Sequence, residues 1–111
     1  MTFQLGASLL DACVLTVLSR GDAYGYSLTQ QVRQAVDISE STLYPVLRRL
    51  QKEGCLDTYD KAYQGRNRRY YVLTAKGAQH AKQLLDEWQA FQTRINHVFY
   101  GGEIDDESNL S

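Results

Sequence analysis

One stretch constrains this chain more than any other: Ser39 to Gly54, S-E-S-T-L-Y-P-V-L-R-R-L-Q-K-E-G. Leu43, Val46, Leu47 and Leu50 recur at helical spacing, so the segment can bury one apolar stripe as an α-helix. Ser39 or Ser41 can cap its start, because a serine hydroxyl accepts a bond from a first-turn N–H that no carbonyl reaches. Gly54 can take the left-handed conformation that closes a helix. Proline costs about 3 kcal/mol in a helix interior and much less within the first turn. Pro45 therefore places the expected cap nearer Ser41 and the expected helix over 41–53. The other face carries Thr42, Tyr44, Arg48, Arg49 and Lys52. Serine and threonine at a helix start, with a tyrosine one turn on, suit base edges and phosphates. The basic residues suit phosphate oxygens further along. An ordinary amphipathic helix with a solvated basic face shows the same pattern, so the neighbouring segments decide between the two.

Charge is the first of those neighbours to speak. From Ser39 to Lys76 there are eight Lys/Arg against four acids, +4, whereas the rest of the chain has four against nine, −5. The net charge of −1 thus hides a basic middle between acidic ends. That asymmetry suggests a local surface for a polyanion. A chain of 111 residues, 43% of them apolar, is expected to form one domain with its own core.

The preceding segments supply a helix-turn-helix. A first helix is expected over about 6–20, with Leu10, Val14, Val17 and Leu18 on one stripe. Leu5, Ser8, Ala12 and Leu15 lie on another. A helix apolar on most of its circumference is buried on more than one side, and in so small a domain the second side is expected to meet another subunit. Gly21-Asp22 turns the chain. A second helix over about 24–36 would face Tyr26 or Leu28, Val32 and Ala35 or Val36 inward. Asp37-Ile38-Ser39 then leads tightly into the third helix, which is helix-turn-helix geometry.

After Gly54 the period changes. Cys55 to Tyr63 and Arg68 to Thr74 read as the strands of a hairpin, with Gln64-Gly65-Arg66-Asn67 between them as turn. The fold expected is mainly α with a small β-hairpin wing at 55–74, a winged helix-turn-helix over 1–74. Arg66, Arg68 and Arg69 on the wing can enter a minor groove or hold phosphates, or serve only to keep an edge strand from aggregating. Tyr70, Tyr71 and Leu73 are expected to pack the wing onto the helices.

Thr74 can cap a last helix over 75–102, ended by Gly101-Gly102, with 103–111 as a disordered acidic tail. Ala81, Trp88 and Ile95 are seven apart, with Leu84 or Leu85, Phe91 and Val98 between them. That heptad seam is expected to pack on the first helix and on a partner subunit. Trp88 is either a packing tryptophan or a flat platform for a ligand at a dimer axis.

Other chemistries find no footing. Cys13 and Cys55 form no metal pair or disulfide framework and read as buried thiols of a reducing cytosol. His80 and His97 do not share a helix face and read as surface or interface residues. No phosphate-cradling glycine loop, nucleophile elbow or metal-ligand pair is present, so neither an enzyme nor a cofactor or metal site is expected. No secretory signal is evident, and the longest apolar run falls short of the ~20 residues that span a bilayer. A cytoplasmic protein without membrane contact is expected.

Four pieces in order carry a family likeness: A-Y-G-Y-S-L at 23–28, S-T-L-Y-P-V-L-R-R-L at 41–50, E-G at 53–54 and G-R-N-R-R-Y-Y-V-L-T-A-K-G at 65–77. Together they resemble the PadR family of bacterial transcriptional regulators. The single C-terminal helix resembles its short subfamily and is similar to multidrug-responsive repressors. The resemblance implies a homodimer on a palindromic operator of double-stranded DNA, held together by the C-terminal and first helices. It implies DNA contacts from Ser41, Thr42, Tyr44, Arg48 and Arg49, and from Gly65, Arg66, Arg68 and Arg69 of the wing. It implies a small aromatic or drug-like effector stacked on Trp88, in a pore lined by Leu5, Ser8, Ala12, Leu15, Leu85, Gln89 and Gln92. The dimer contact would run along Ala81, Leu84, Trp88, Phe91, Ile95 and Val98.

Overall fold

The computed structural model describes residues 5–102. The expected acidic tail at 103–111 and the short arm before Leu5 lie outside the described residues. The elements are α1 (Leu5–Leu18), β1 (Ala23–Tyr24), α2 (Gly25–Val32), α3 (Glu40–Lys52), β2 (Leu56–Tyr63), β3 (Arg66–Leu73) and α4 (Ala75–Tyr100). Four helices pack with a three-stranded antiparallel sheet in the order β1-β3-β2.

The core is one cluster to which every helix contributes. Val14 and Leu15 of α1, Leu28 of α2, and Leu43, Leu47 and Leu50 of α3 have no exposed surface. Leu56 of β2 and Ala81 and Leu84 of α4 close it. Each such leucine, taken out of water, stabilises the fold by about 1.5–3 kcal/mol before entropy is counted. The apolar spacing in α3 is thus used as its sequence suggests. In α2, Leu28 and not Tyr26 turns inward, and Tyr26 is 55% exposed.

Three boundaries differ from expectation. The cap of α3 is Ser39, not Ser41: its hydroxyl accepts from the Thr42 N–H at 3.3 Å, and its carbonyl takes the Leu43 N–H. Pro45 then sits in the second turn, where its ring leaves the Ser41 carbonyl without a helical donor. Burial of Leu43, Leu47 and Leu50 outweighs that loss. Helix α2 is shorter than 24–36 at both ends: the regular helix stops at Val32, with residues 33–36 in turns and a bend, and Tyr24 is drawn with Ala23 into the sheet opposite Tyr70 and Tyr71. The wing is therefore three-stranded, not a lone hairpin. Its turn is the two residues Gln64-Gly65, with φ of 51° and 75°. Two positive φ values give a tight turn of the kind that matches strand twist, and they leave Arg66 and Asn67 as strand residues.

The join from α3 through the sheet to α4 is built from backbone closure. Gly54, at φ 85°, lets the Cys55 N–H reach the Leu50 carbonyl and its own N–H reach Gln51. That pair of bonds satisfies the last carbonyls of α3. Thr74 donates to the Gly54 carbonyl at 2.7 Å and accepts from the Gly77 N–H at 3.0 Å, capping α4 while holding it to the end of α3. Lys76 Nζ adds a bond to the Glu53 carbonyl at 2.7 Å.

Candidate nucleic-acid interface

The start of α3 presents a hydroxyl cluster. Ser41 and Thr42 are exposed, and both hydroxyls lie within hydrogen-bond reach of Ser39, at 2.9 and 3.2 Å. Tyr44, one turn on, is half-buried and donates to Glu40 at 3.3 Å. Its pKa is pushed up by burial and by that neighbouring carboxylate, so the phenol stays a donor at any physiological pH. The ring lies so close over α2 that a Cβ at Gly25 would come within 3.1 Å of its hydroxyl. Arg48 and Lys52 are exposed further along the helix.

Arg49 is placed differently from its neighbours. Its Nη2 donates to buried Asp11 of α1 at 2.5 Å, and its Nη1 reaches Glu53 at 3.4 Å. The Asp11 bond is the main reason its pKa lies above the ordinary guanidinium value. Both ends of the group are thereby committed to carboxylates of the same chain.

On the wing, three arginines have three settings. Arg66 is exposed beside the turn. Arg69 is tied to Asp60 of β2, its direct cross-strand neighbour, at 3.4 Å. Arg68 lies between two rings, 4.0 Å from the Tyr24 centroid and 3.8 Å from that of Tyr63. Gly65 occupies the tip. An open cleft of about 850 Å³ lies between wing and helices. Tyr44 of α3, Gly25 and Tyr26 of α2, and Arg66, Arg68 and Arg69 of the wing all line it. The structure thus brings the wing arginines and Tyr44 to one concavity. Arg48 and Lys52 stand apart from it on the exposed face of α3, and Arg49 is turned toward α1.

Sequence reasoning missed Tyr24, Tyr63, Asp11 and Asp60 as partners of the basic groups. Asp11 could have been noticed as the one acid inside an otherwise apolar helix. Tyr24 looked like a helix residue and carried no such sign.

The residues expected around an effector fall into two sets. Ala12 and Leu15 are buried in the chain's own core, at 6% and 0% exposure. Leu5 and Leu85 are exposed, Ser8 and Trp88 are half-buried, and Gln89 and Gln92 are exposed. The heptad seam divides likewise. Ala81 and Leu84 pack within the chain, while Trp88, Phe91 and Ile95 are half-buried. Val98, Phe99 and Tyr100 are 74%, 68% and 80% exposed. The Trp88 and Phe91 rings lie 6.2 Å apart at 38°. Among the described residues no cluster of three or more metal-ligating side chains occurs, and no helix is long and apolar enough to cross a membrane.

Comparison with known proteins places this arrangement. The profile of the transcriptional regulator PadR-like family matches residues 14–83, from the last turn of α1 to the first third of α4. An uncharacterised protein of Lysinibacillus sphaericus is 32% identical over 99 residues, 85% of this chain and 91% of that one. The crystal structure of the protein smu.1704 from Streptococcus mutans UA159 superposes with a TM-score of 0.82 at 39% identity, over 91% of this chain and 95% of that one. A PadR-like transcriptional regulator from Bacillus cereus gives 0.79 at 30% identity, over 89% and 99%. Bacillus subtilis PadR, solved in complex with operator DNA, gives 0.65 at 26% identity, over 69% of this chain and 46% of that longer one. With its winged helix and long last helix, this chain belongs to the PadR-like family of transcriptional regulators.

Proposed function

We propose that the protein is a cytoplasmic, homodimeric repressor that binds a palindromic operator and is released by a small flat aromatic molecule. The observation that carries DNA binding is the shared cleft, where Tyr44 of α3 meets Arg66, Arg68 and Arg69 of the wing. The operator complex of the Bacillus subtilis relative supports the same partner. In this reading Ser41, Thr42 and Tyr44 meet base edges and phosphates of a major groove. Arg48 neutralises phosphate along α3, and Gly65 and Arg66 reach the adjacent backbone or minor groove. Arg49, held by Asp11 and Glu53, braces α3 and is not a free cation for phosphate.

Dimerisation is supported by the apolar residues that α4 leaves in water, Leu85, Val98, Phe99 and Tyr100, with Trp88, Phe91 and Ile95 half-buried between them. A row of such side chains on one helix is costly unless a second copy covers it. Trp88, beside that row, is the proposed stacking platform for the effector, with Leu5, Ser8, Leu85, Gln89 and Gln92 around it. Ala12 and Leu15 support that wall from behind. A ligand wedged there would change the angle between the two winged helices, so that they no longer match half-sites about one helical turn apart.

The test is binding of the purified protein to the DNA upstream of its own gene, across a salt series and against a scrambled duplex. Tight, salt-sensitive and selective binding, weakened by an aromatic compound that quenches Trp88 fluorescence, supports the reading. Weak binding that is identical on both duplexes, repeated across a genomic fragment library, defeats it in favour of a protein partner.

A further inference from the structure

The outer face of the wing is a cross-strand ladder of tyrosines and cations. Antiparallel register puts directly paired residues on one face. Tyr24 pairs with Tyr70, Tyr70 with Tyr59, and Arg68 with Lys61. Alternate residues on a strand share a face, so Tyr63, two residues beyond Lys61, is the diagonal neighbour of Arg68. The rings of Tyr59 and Tyr70 stack 5.3 Å apart at 3°, and Tyr24 lies 5.7 Å from Tyr70. Lys61 stands 5.9 Å over the Tyr70 ring. Arg68 fills the remaining slot, its guanidinium carbon over both the Tyr24 and the Tyr63 ring, 4.0 and 3.8 Å from their centroids.

That slot has a chemical consequence. A guanidinium is planar and carries all five donors in its plane. Rings stacked on its faces leave the N–H edges to meet a ligand. Stacking on aromatic faces favours the cation without using any of those donors. The side chain has also given up its rotamer freedom before any ligand arrives, which is the main cost of ordering a long arginine at an interface. Among the described residues Arg68 pairs with no carboxylate, whereas Asp60, which also lines the cleft, is occupied by Arg69 at 3.4 Å. Arg68 is also one of the residues that line the cleft bordered by Tyr44 on the α3 side.

The geometry points to Tyr24 and Tyr63 as positioning residues that hold Arg68 as the wing's preformed fork for one DNA phosphate. A phosphodiester fits because its two free oxygens match a planar pair of N–H donors. This assignment rests on the DNA-binding reading above and deepens it. It also divides labour within the wing. Arg66 is exposed beside the tip, Arg69 is paired with Asp60, and Arg68 is held by Tyr24 of β1 and Tyr63 of β2.

The experiment measures duplex affinity against salt concentration for the full chain, using the upstream DNA and a scrambled duplex. Each phosphate contact contributes about 0.9 to the slope of log affinity against log salt. Arg68→Ala is expected to lower the slope by ~0.9 on both duplexes. The double change Tyr24→Leu with Tyr63→Leu is expected to weaken binding in the same way, and to add nothing once Arg68 is alanine. Tyr24→Phe with Tyr63→Phe keeps both rings and should keep the parent's affinity and slope, and it preserves the test if the leucine pair does not fold. Arg68→Lys keeps the charge without the fork and should retain the slope at weakened affinity. A purely structural wing residue would change melting temperature without changing the slope. If the parent binds with salt dependence and Arg68→Ala keeps the parent's slope, the assignment of Arg68 is wrong while DNA binding stands. If the leucine pair and Arg68→Ala weaken binding additively, the rings do not act through Arg68. Absence of salt-dependent binding by the parent overturns both readings together.

Discussion

Asp11 of α1 and Arg49 of α3 meet at 2.5 Å across 38 positions of sequence, an ion pair that joins the first helix to the third beside their shared apolar core. The Asp11 side chain is 10% exposed and the Arg49 side chain 43%. Removing the cation leaves a buried charge uncompensated, which costs about 3–5 kcal/mol when both partners are buried. Here water reaches half the pair, so Arg49→Ala is expected to cost about 2 kcal/mol. Urea unfolding reads this directly. The double variant with Asp11→Ala should lose less than the sum of the singles, because one interaction is being removed twice. On DNA, Arg48→Ala should lower the salt slope by ~0.9 and Arg49→Ala should not. A lowered slope for Arg49→Ala would mean that the ion pair opens to let Arg49 reach phosphate.

Gly77, in the first turn of α4, tolerates no side chain. A Cβ there would collide with the Cys55 carbonyl oxygen and come within 2.7 Å of Leu73 Cδ1. The oxygen is backbone, fixed by the Thr74 N–H at 3.1 Å, so it cannot swing aside. Gly77→Ala is expected to cost about 3 kcal/mol, the upper range for overpacking, despite the better helix propensity of alanine. A melting temperature unchanged from the parent would show that α4 can lift off the sheet at little cost.

Alkaline pH should weaken the fold. Burial pushes the Cys13 and Cys55 thiols up, and burial with Glu40 does the same for the Tyr44 phenol. The folded state therefore holds these protons more tightly than the unfolded chain. Their contribution is complete below the unfolded values, about 8.5 for a thiol and about 10 for a phenol. It is lost as pH rises through the higher folded values. The urea midpoint is expected to begin falling near pH 8.5, and Cys13→Ala should delay the onset. A midpoint that rises over this range would contradict the sign. In the native state at neutral pH, a thiol reagent should label Cys55 far more slowly than it does in denaturant.

The exposed end of α4 gives the oligomer a direct test. Val98→Asp with Phe99→Asp places two charges where 74% and 68% of the side-chain surface is already in water. A monomer should accept them with a stability change of a few tenths of a kcal/mol, as surface positions do. A dimer sealed by this helix should dissociate, and its concentration-dependent melting should vanish. Sedimentation equilibrium distinguishes the outcomes, and a mass unchanged from the parent would exclude this end of α4 from the interface.

Much of the fold was readable because its strongest signals are local. The spacing of Leu43, Leu47 and Leu50 announces α3, and Gly54 and Thr74 mark where elements stop and start. What could not be read depends on partners distant in sequence. Nothing near Tyr24 says that it will pair with Tyr70, since a two-residue strand has no period to detect. The basic face of α3 looked uniform because Asp11, which claims Arg49, lies a helix away. The seam on α4 was visible, but heptad spacing does not say which part packs at home. Ala81 and Leu84 are used within the chain, and the exposed residues begin only further along. Ser39 beat Ser41 as the cap because burying the leucine stripe sets the helix phase, and Pro45 has to accept the position that results.

The two residues of β1 bear on where adjustment would occur in the proposed dimer. By pairing with Tyr70 and Tyr71, they fasten the wing to the start of α2, while Tyr44 leans on Gly25 from α3. The gap between wing tip and reading helix is therefore a fixed gauge, like the jaws of a spanner cast in one piece. A natural variant that binds each half-site more or less tightly should carry its changes in α3 or the wing. One that tolerates a different distance between half-sites should carry them in α1 or α4, where two spanners would be joined at the handle in the proposed dimer.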